Sequence, residues 1–291
     1  MPVPPPAPGA GPDLATITAG EFARFRSLIR DQTGIHLSDC KGPLLVARLG
    51  PRLKNLGLGT FSDYYKFLAG DTSGDELQTL INRVTTHKTS FFRERHHFDF
   101  LRLRLIPQLR EKGRRQLRIW SAGCSSGEEP YSIAMTVEQA LGKLHGWDVC
   151  VLASDIDTET LDQARSGTYA LESLDGVSPE QRRAYFLRGF GEFEGLAQVR
   201  PELRQMVHFR RINLNEPDWG VHERFDAIFC RNVIIYFDRT LQERIVERLV
   251  SHLHAGGCYF SGHSENLYSL RSLLVAVEHT IFRLNPGGNN Q

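Results

Sequence analysis

The 291-residue chain holds no run of about 18 apolar residues, so neither a transmembrane helix nor direct membrane insertion is expected. Its five cysteines, Cys40, Cys124, Cys150, Cys230 and Cys258, are far apart and form no CxxC pair. A disulfide framework or a cysteine-based zinc site is therefore not expected, and no metal is assigned. Cys150, Cys230 and Cys258 sit in apolar runs and read as small buried hydrophobes. The stretch Met1–Pro12 has neither the basic start nor the apolar middle of a secretory signal, and a cytoplasmic protein is expected. Net charge is nearly absent: 35 Lys+Arg against 34 Asp+Glu gives +1. That balance speaks against a general nucleic-acid binder.

What is present suits a globular protein of about two domains. Hydrophobic residues make up 41% and charged residues 24%, enough to build a real core. The charge is uneven along the chain. Residues 1–115 carry a net +7 and the remainder −6. A basic first part points to an acidic partner.

Residues 1–16 read as a Pro/Gly-rich disordered tail, and about 17 to 112 as helical. Thr18-Ala-Gly-Glu21 fits a capping box, with Phe22, Phe25, Leu28 and Ile29 at helical spacing behind it. A second helix is expected from about Asp39 to Leu56, with Leu45, Leu49, Leu53 and Leu56 as its apolar stripe. Two short helices follow, Ser62–Leu68 and Asp75–Val84. After Leu117 the pattern changes to strands alternating with helices: strands at Leu117–Ala122, Val149–Ser154, Phe225–Cys230, Gly257–Ser261 and Val275–Leu284, helices at Glu128–Leu144, Thr158–Arg165 and Thr240–Leu253. Such alternation argues an α/β fold with a parallel sheet covered on both faces. Residues 167–212 interrupt it with glycines and two short apolar runs, and read as a small β-subdomain insert.

Ser121-Ala-Gly-Cys-Ser-Ser-Gly-Glu-Glu-Pro130 joins a strand to a helix, the place where open α/β sheets bind ligands. The next strand ends at Asp155, and a carboxylate there suits a ribose diol. A pyrophosphate needs a helix start free of anions, and here Glu128 and Glu129 occupy it. The pair favours a nucleoside with positive charge, S-adenosylmethionine (SAM), over NAD or ATP. For one of the two glutamates, complementing the helix dipole is explanation enough. A rival reading is the G-x-S-x-G elbow of serine hydrolases, with Ser125 as nucleophile and His263 with Asp226 or Asp238 as partners. The helical chain upstream and the lack of an HGGG-type segment count against it.

With these motifs together, the chain resembles the chemotaxis receptor methyltransferases, the CheR family, from about residue 17 to 284. Thr85-Thr-His-Lys-Thr-Ser-Phe-Phe-Arg93 is similar to the family's TTNxTxFFR segment. Ile119–Ile133, Ala153–Thr158, Phe225–Phe237 and Gly262-His-Ser-Glu265 follow in the family's order. The resemblance implies an all-α N-terminal domain at 17–90 and a Rossmann-like SAM-dependent methyltransferase domain at 91–291. It implies methyl transfer from SAM, leaving S-adenosylhomocysteine (SAH), to glutamate side chains on the cytoplasmic helices of chemoreceptors. Position by position, it implies cofactor contacts at His87, Thr89, Arg93, Glu129, Asp155, Asn213, Leu214, Arg231 and Asn232, with Arg93 and Tyr236 nearest the transferring methyl. The family usually has Asn where this chain has His87; histidine still donates a hydrogen bond but is larger.

A glutamate substrate is already ionised at neutral pH, so no general base is needed. Arg93 can orient it by charge-assisted hydrogen bonds, or be a surface arginine paired with Glu94. Tyr236 ends a strand-and-turn segment where sites gather, or is an amphipathic tyrosine at a core edge. Asn232 stands as in the N-P-P-Y motif of amino-methyltransferases, but the following Val233-Ile234-Ile235 departs from it. Gly262–Glu265 reads as support for the pocket. Lys41, Arg48, Arg52 and Lys54 on the second helix are expected to face the glutamate rows of a receptor bundle, or simply solvent. Gly189, Gly191 and Gly195 resemble the subdomain loop of relatives that grip a receptor's C-terminal pentapeptide by strand addition; a plain hairpin is the alternative. A monomer is expected. A non-catalytic SAM- or SAH-binding protein, or a methyltransferase of another substrate class, remains the alternative function.

Overall fold

The computed structural model describes residues 16–142 and 146–285. Apart from its last residue, the expected tail 1–16 lies outside them, as does the end of the helix expected to reach Leu144. The chain divides into two compact units at Thr85/Thr86, with Thr33–Ile35 joining the second.

Among the described residues the first unit contains four α-helices: α1 (Ala19–Thr33), α2 (Gly42–Asn55), α3 (Phe61–Gly70) and α4 (Asp75–Val84). The capping box forms as spelled: the Thr18 amide and hydroxyl donate to Glu21 at 2.9 and 2.8 Å, and the Glu21 amide donates back at 3.2 Å. Phe25 sits at the centre of the core, stacked on Tyr64 and edge-on to Phe61. Leu45, Leu49 and Leu53 of α2 are buried beside them. Each such side chain contributes about 1.5–3 kcal/mol of burial. A short helical turn at Asp39–Lys41 precedes α2, so the expected second helix starts three residues late.

The second unit opens with an irregular stretch to Arg95. The continuous helical reading of 17–112 fails here because Phe92 and Glu94 adopt left-handed backbone (φ 53° and 59°). Then come α5 (His96–Phe100), a π-helical turn at Leu101–Leu105, α6 (Ile106–Glu111), β1 (Gln116–Ala122), α7 (Glu128–Leu141), β2 (Asp148–Asp155) and α8 (Thr158–Ser166). After them follow β3 (Thr168–Ala170), α9 (Pro179–Tyr185), β4 (Phe186–Arg188), β5 (Leu196–Val199), α10 (Pro201–Arg204) and β6 (Val207–Arg211). The chain closes with β7 (Phe225–Phe229), α11 (Arg239–Ser251), β8 (Leu253–Phe260), β9 (Leu274–Glu278) and β10 (Ile281–Leu284).

Seven strands form one sheet in the order β6-β2-β1-β7-β8-β10-β9. The first five run parallel, and β10 enters antiparallel between β8 and β9. Ile119 and Trp120, adjacent on β1, belong to different core clusters, one on each face of the sheet. The strand order reverses about β1, which places the ligand crevice at its carboxyl end.

Two expectations are corrected. The segment Val275–Leu284 is a hairpin, not one strand: it turns at His279-Thr280, where Thr280 has φ 60°. The polar Glu278-His279-Thr280 makes that turn with neither glycine nor proline to mark it. The insert is a three-stranded antiparallel sheet, β3-β5-β4, and stops before β6. Val207–Arg211 pairs in parallel with β2 and belongs to the main sheet. Five residues with one free edge fit either place, so only the pairing partner separates them. Among the described residues no helix is long and apolar enough to cross a membrane.

Candidate active site

The turn after β1 is held against the end of β2. The amides of Gly123 and Cys124 donate to the Ser154 carbonyl at 2.7 and 2.9 Å. Gly123 has φ 88°, and a Cβ there would collide with Val233. Gly127 has φ 97°, and a Cβ would lie 2.8 Å from both Ala164 Cβ and the Tyr169 hydroxyl. Only glycine lets the backbone pass at either point.

Asp155 closes this turn. Its carboxylate accepts from the Ser125 amide at 2.8 Å and the Asp157 amide at 3.1 Å. Burial pushes its pKa up, against the pull of those amides. His87 places Nε2 2.8 Å from Asp157, whose carboxylate also caps α8 through the Thr160 amide. The histidine thus makes its polar contact next door to Asp155.

The two glutamates at the start of α7 separate in role. Glu128 turns inward and accepts from the Ser126 hydroxyl at 2.7 Å; burial pushes its pKa up. Glu129 accepts from the Ser121 hydroxyl at 2.7 Å and from Arg231 Nη1 at 3.0 Å. Each of the two is thus already partnered within the protein.

Arg231, one residue beyond the Cys230 that follows β7, organises the rest. Its side chain is 2% exposed. Besides Glu129 it pairs with Glu94 at 3.3 Å and donates to the Arg93 carbonyl at 2.5 Å. Arg93 therefore sits on a loop pinned from below. Its neighbours Phe92 and Glu94 are in left-handed backbone, at a cost of roughly 1–2 kcal/mol each. Packing offsets that cost: the Phe92 amide donates to Ser132 at 2.9 Å, and the Phe91 ring meets Tyr169 and Phe186 edge-on. Arg93 donates to the Lys88 carbonyl at 2.8 Å and does not pair with Glu94. Thr89 lies in the same stretch, half-buried.

Asn213 and Leu214, both buried, follow β6. Asn213 accepts from the Asn215 amide at 3.0 Å, and the Ile212 amide before it donates to the Asp155 carbonyl at 3.0 Å. Asn232 (φ 59°) starts the turn after β7, and Tyr236 ends the short helical turn Ile234–Tyr236, half-exposed. Glu265 shapes this turn. Its carboxylate accepts from the amides of Gly262, Val233 and Ile234 at 2.6, 2.9 and 3.2 Å. Burial raises its pKa to about 7. Sequence reasoning saw the Gly262–Glu265 segment as support but missed which atoms it supports, and it considered Glu94 only as a partner of Arg93, missing its pairing with Arg231.

The hydrolase reading fails on geometry. The Ser125 hydroxyl is buried with no hydrogen-bond partner. Asp226 pairs with Arg114 and the Arg118 amide, and Asp238 caps α11. His263 lies against Glu94.

A SAM-sized cation fits these residues. Glu128, Glu129 and Asp155 flank the glycine turn, and of the three only Glu129 is paired with an arginine, Arg231, a balance that favours a sulfonium and an ammonium over phosphates. Asp155 is the acid at the end of β2, and the orphaned Ser125 hydroxyl beside it awaits a partner.

The basic residues of α2 and of the turn before it divide. Lys41 and Lys54 are exposed. Arg52 is bidentate to the buried Glu76 at 3.0 and 2.5 Å, and Arg48 donates to the carbonyls of Val84 and Thr85. The expectation that Arg48 and Arg52 present their charge outward is corrected: both tie α2 to α4. Gly189, Gly191 and Gly195 lie in and beside the β4–β5 turn, which exposes Phe190 (82%) and Phe193 (64%).

A doubly wound sheet with an inserted antiparallel last strand, a glycine turn after β1 and an acid after β2 define a SAM-dependent methyltransferase. The chain belongs to the CheR methyltransferase family: the family's SAM-binding domain matches residues 87–282 and its all-alpha domain residues 20–85. It is 45% identical to chemotaxis protein methyltransferase 2 of Pseudomonas aeruginosa, over 97% of this chain and 99% of that protein. It is 47% identical to the chemotaxis protein methyltransferase of Salmonella typhimurium, covering 92% and 91% of the two chains. The Escherichia coli protein of the same name is 44% identical, covering 92% of each.

Proposed function

We propose that this enzyme esterifies glutamate side chains on the cytoplasmic helices of chemoreceptors, acting as a monomer in the cytoplasm. The observation that carries the reading is Arg93. Among the described residues it makes no ion pair, and its recorded hydrogen bond goes to a neutral carbonyl. Its charge is available to a substrate carboxylate, which is already ionised and needs no base.

When bound, SAM supplies a sulfonium methyl that a carboxylate oxygen takes as its ester, leaving SAH. Asp155 offers its carboxylate to the ribose diol. The Ser125 hydroxyl supplies a donor at the same turn. Asn213 and Leu214 follow β6 and Asn232 follows β7, the strands that flank β2 and β1, with His87 and Thr89 on the segment leading to Arg93. Arg231 acts as a positioning residue: it neutralises Glu129 and holds the Arg93 carbonyl. Tyr236 presents its hydroxyl from the turn that Glu265 shapes. The result is carboxylate alignment, and positioning of this kind can lower a barrier by several kcal/mol, on the order of 7–11 at best.

Two contacts to the receptor accompany this reading. Lys41 and Lys54 supply exposed positive charge to acidic methylation helices. The outer edge of β4, beside the exposed Phe190 and Phe193, suits addition of a C-terminal receptor pentapeptide as an extra strand.

The test uses methyl-labelled SAM with chemoreceptor-containing membranes, followed by base. Carboxyl esters release volatile methanol, and N-methyl groups do not. Base-labile label on a receptor-sized band is expected. Base-stable label would replace the glutamate reading with another acceptor.

A further inference from the structure

Three imidazoles converge in the second unit from separate parts of the chain. His96 starts α5, His263 follows β8, and His279 lies in the β9–β10 turn. One ring nitrogen of each lies within 4.8 Å of the other two. The rings of His96 and His263 stack at 5.1 Å with 10° between planes, and His279 meets His263 at 5.1 Å and 64°. His96 is half-buried and the other two are exposed. The Thr280 hydroxyl and the His279 carbonyl, 3.1 and 3.2 Å from His96 Nε2, fix the orientation of that ring.

Methyl transfer does not use these rings, and exposed imidazoles gain little from burial. Nor is a carboxylate drawn between them. Glu94 lies 3.9 Å from His263 Nδ1 at the edge of the cluster and pairs at 3.3 Å with Arg231. What the cluster offers is nitrogen lone pairs.

We propose that His96, His263 and His279 form a binding site for one divalent transition-metal ion of the zinc type, with solvent completing the coordination. Zinc binds imidazole nitrogen at about 2.0–2.1 Å and tolerates three protein ligands plus water. The nitrogens must close in by about 1 Å for that geometry, which the exposed His263 and His279 achieve by side-chain rotation. An all-imidazole donor set suits zinc, copper or nickel, whereas calcium and magnesium require oxygen ligands. No local spacing announced the site, since the three histidines are scattered over 184 positions of sequence. The ion ties the start of α5, the end of β8 and the β9–β10 turn together, beside the loop that carries Arg93.

The test titrates zinc chloride into the untagged full-length protein by calorimetry and follows thermal unfolding with and without the ion. One zinc per chain at micromolar affinity or tighter is expected, with a raised midpoint. His263→Ala and His279→Ala, both at exposed positions, should each weaken binding at least tenfold and abolish the midpoint shift while unfolding normally without metal. Cobalt chloride should give the visible absorption of a four-coordinate nitrogen site in the parent and not in these variants. Cys40→Ser and His36→Ala should change neither readout. Absence of stoichiometric zinc binding, or binding that survives both histidine variants or is lost in either control, overturns the proposal.

Discussion

Arg231 and Glu129 meet at 3.0 Å across the gap between the end of β7 and the first turn of α7. Arg231 is buried and Glu129 largely so, and the same guanidinium pairs with Glu94. Removing one partner from such a pair costs about 3–5 kcal/mol, because the charges left behind are unmatched. Arg231→Met is expected to lower the denaturation midpoint and to abolish calorimetric SAH binding. Arg231→Lys keeps the charge but loses the fork and should fall between. Parent-like stability and SAH affinity in the Met variant would refute the clamp.

Asp155→Asn keeps an oxygen for the Ser125 amide but removes the charge that the proposed function assigns to the ribose. Hydrogen bonds to charged groups contribute about 1.5–3 kcal/mol. SAH affinity is therefore expected to fall about tenfold to a hundredfold, with the melting temperature close to the parent's. Calorimetry paired with thermal denaturation checks both halves.

For Arg93→Ala, the expected loss in receptor methylation rate is about tenfold to a hundredfold, the value of one charge-assisted contact. The loss should exceed any change in SAH affinity, and Arg93→Lys should recover part of it. A loss of SAH affinity as large as the loss of rate would move Arg93 from the acceptor to the cofactor.

Glu21 is nearly buried, which alone would raise its pKa, yet hydrogen bonds from Thr18 and Ser62 carry it down to about 2. A folded pKa below the unfolded 4.5 stabilises the helical unit above about pH 4.5. That contribution is lost as pH falls through 2. The displacement corresponds to about 3 kcal/mol at most. Glu21→Gln should lower stability at pH 7 and flatten its decline between pH 5 and 2, read by denaturant titration at each pH.

Reversing charge at Arg52 and at Lys54 should have different consequences, though they stand two residues apart. Arg52→Glu puts a second carboxylate against the buried Glu76 and is expected to unfold the helical unit at lower denaturant. Lys41→Glu with Lys54→Glu leaves the core alone and should slow receptor methylation while preserving SAH binding. Normal receptor turnover in that double variant would dismiss α2 as a docking face.

The sequence by itself determined the helical unit, the strand alternation and the position of the cofactor turn. Those features are local: a capping box, a helical or strand period, and glycines where a strand meets a helix. Asp155 was legible for the same reason, as an acid ending an apolar run. Tertiary structure decided what local pattern cannot hold. It chose the main sheet for Val207–Arg211, because a short strand takes its identity from its partner. It turned Val275–Leu284 into a hairpin through one left-handed residue. It separated Arg52 from Lys54, since only the packed helix shows which charge meets Glu76. And it joined Glu94, Glu129 and Arg231, residues up to 137 positions apart, into one buried charge network. Coulomb attraction in a dry interior acts through space, and no spacing along the chain records it.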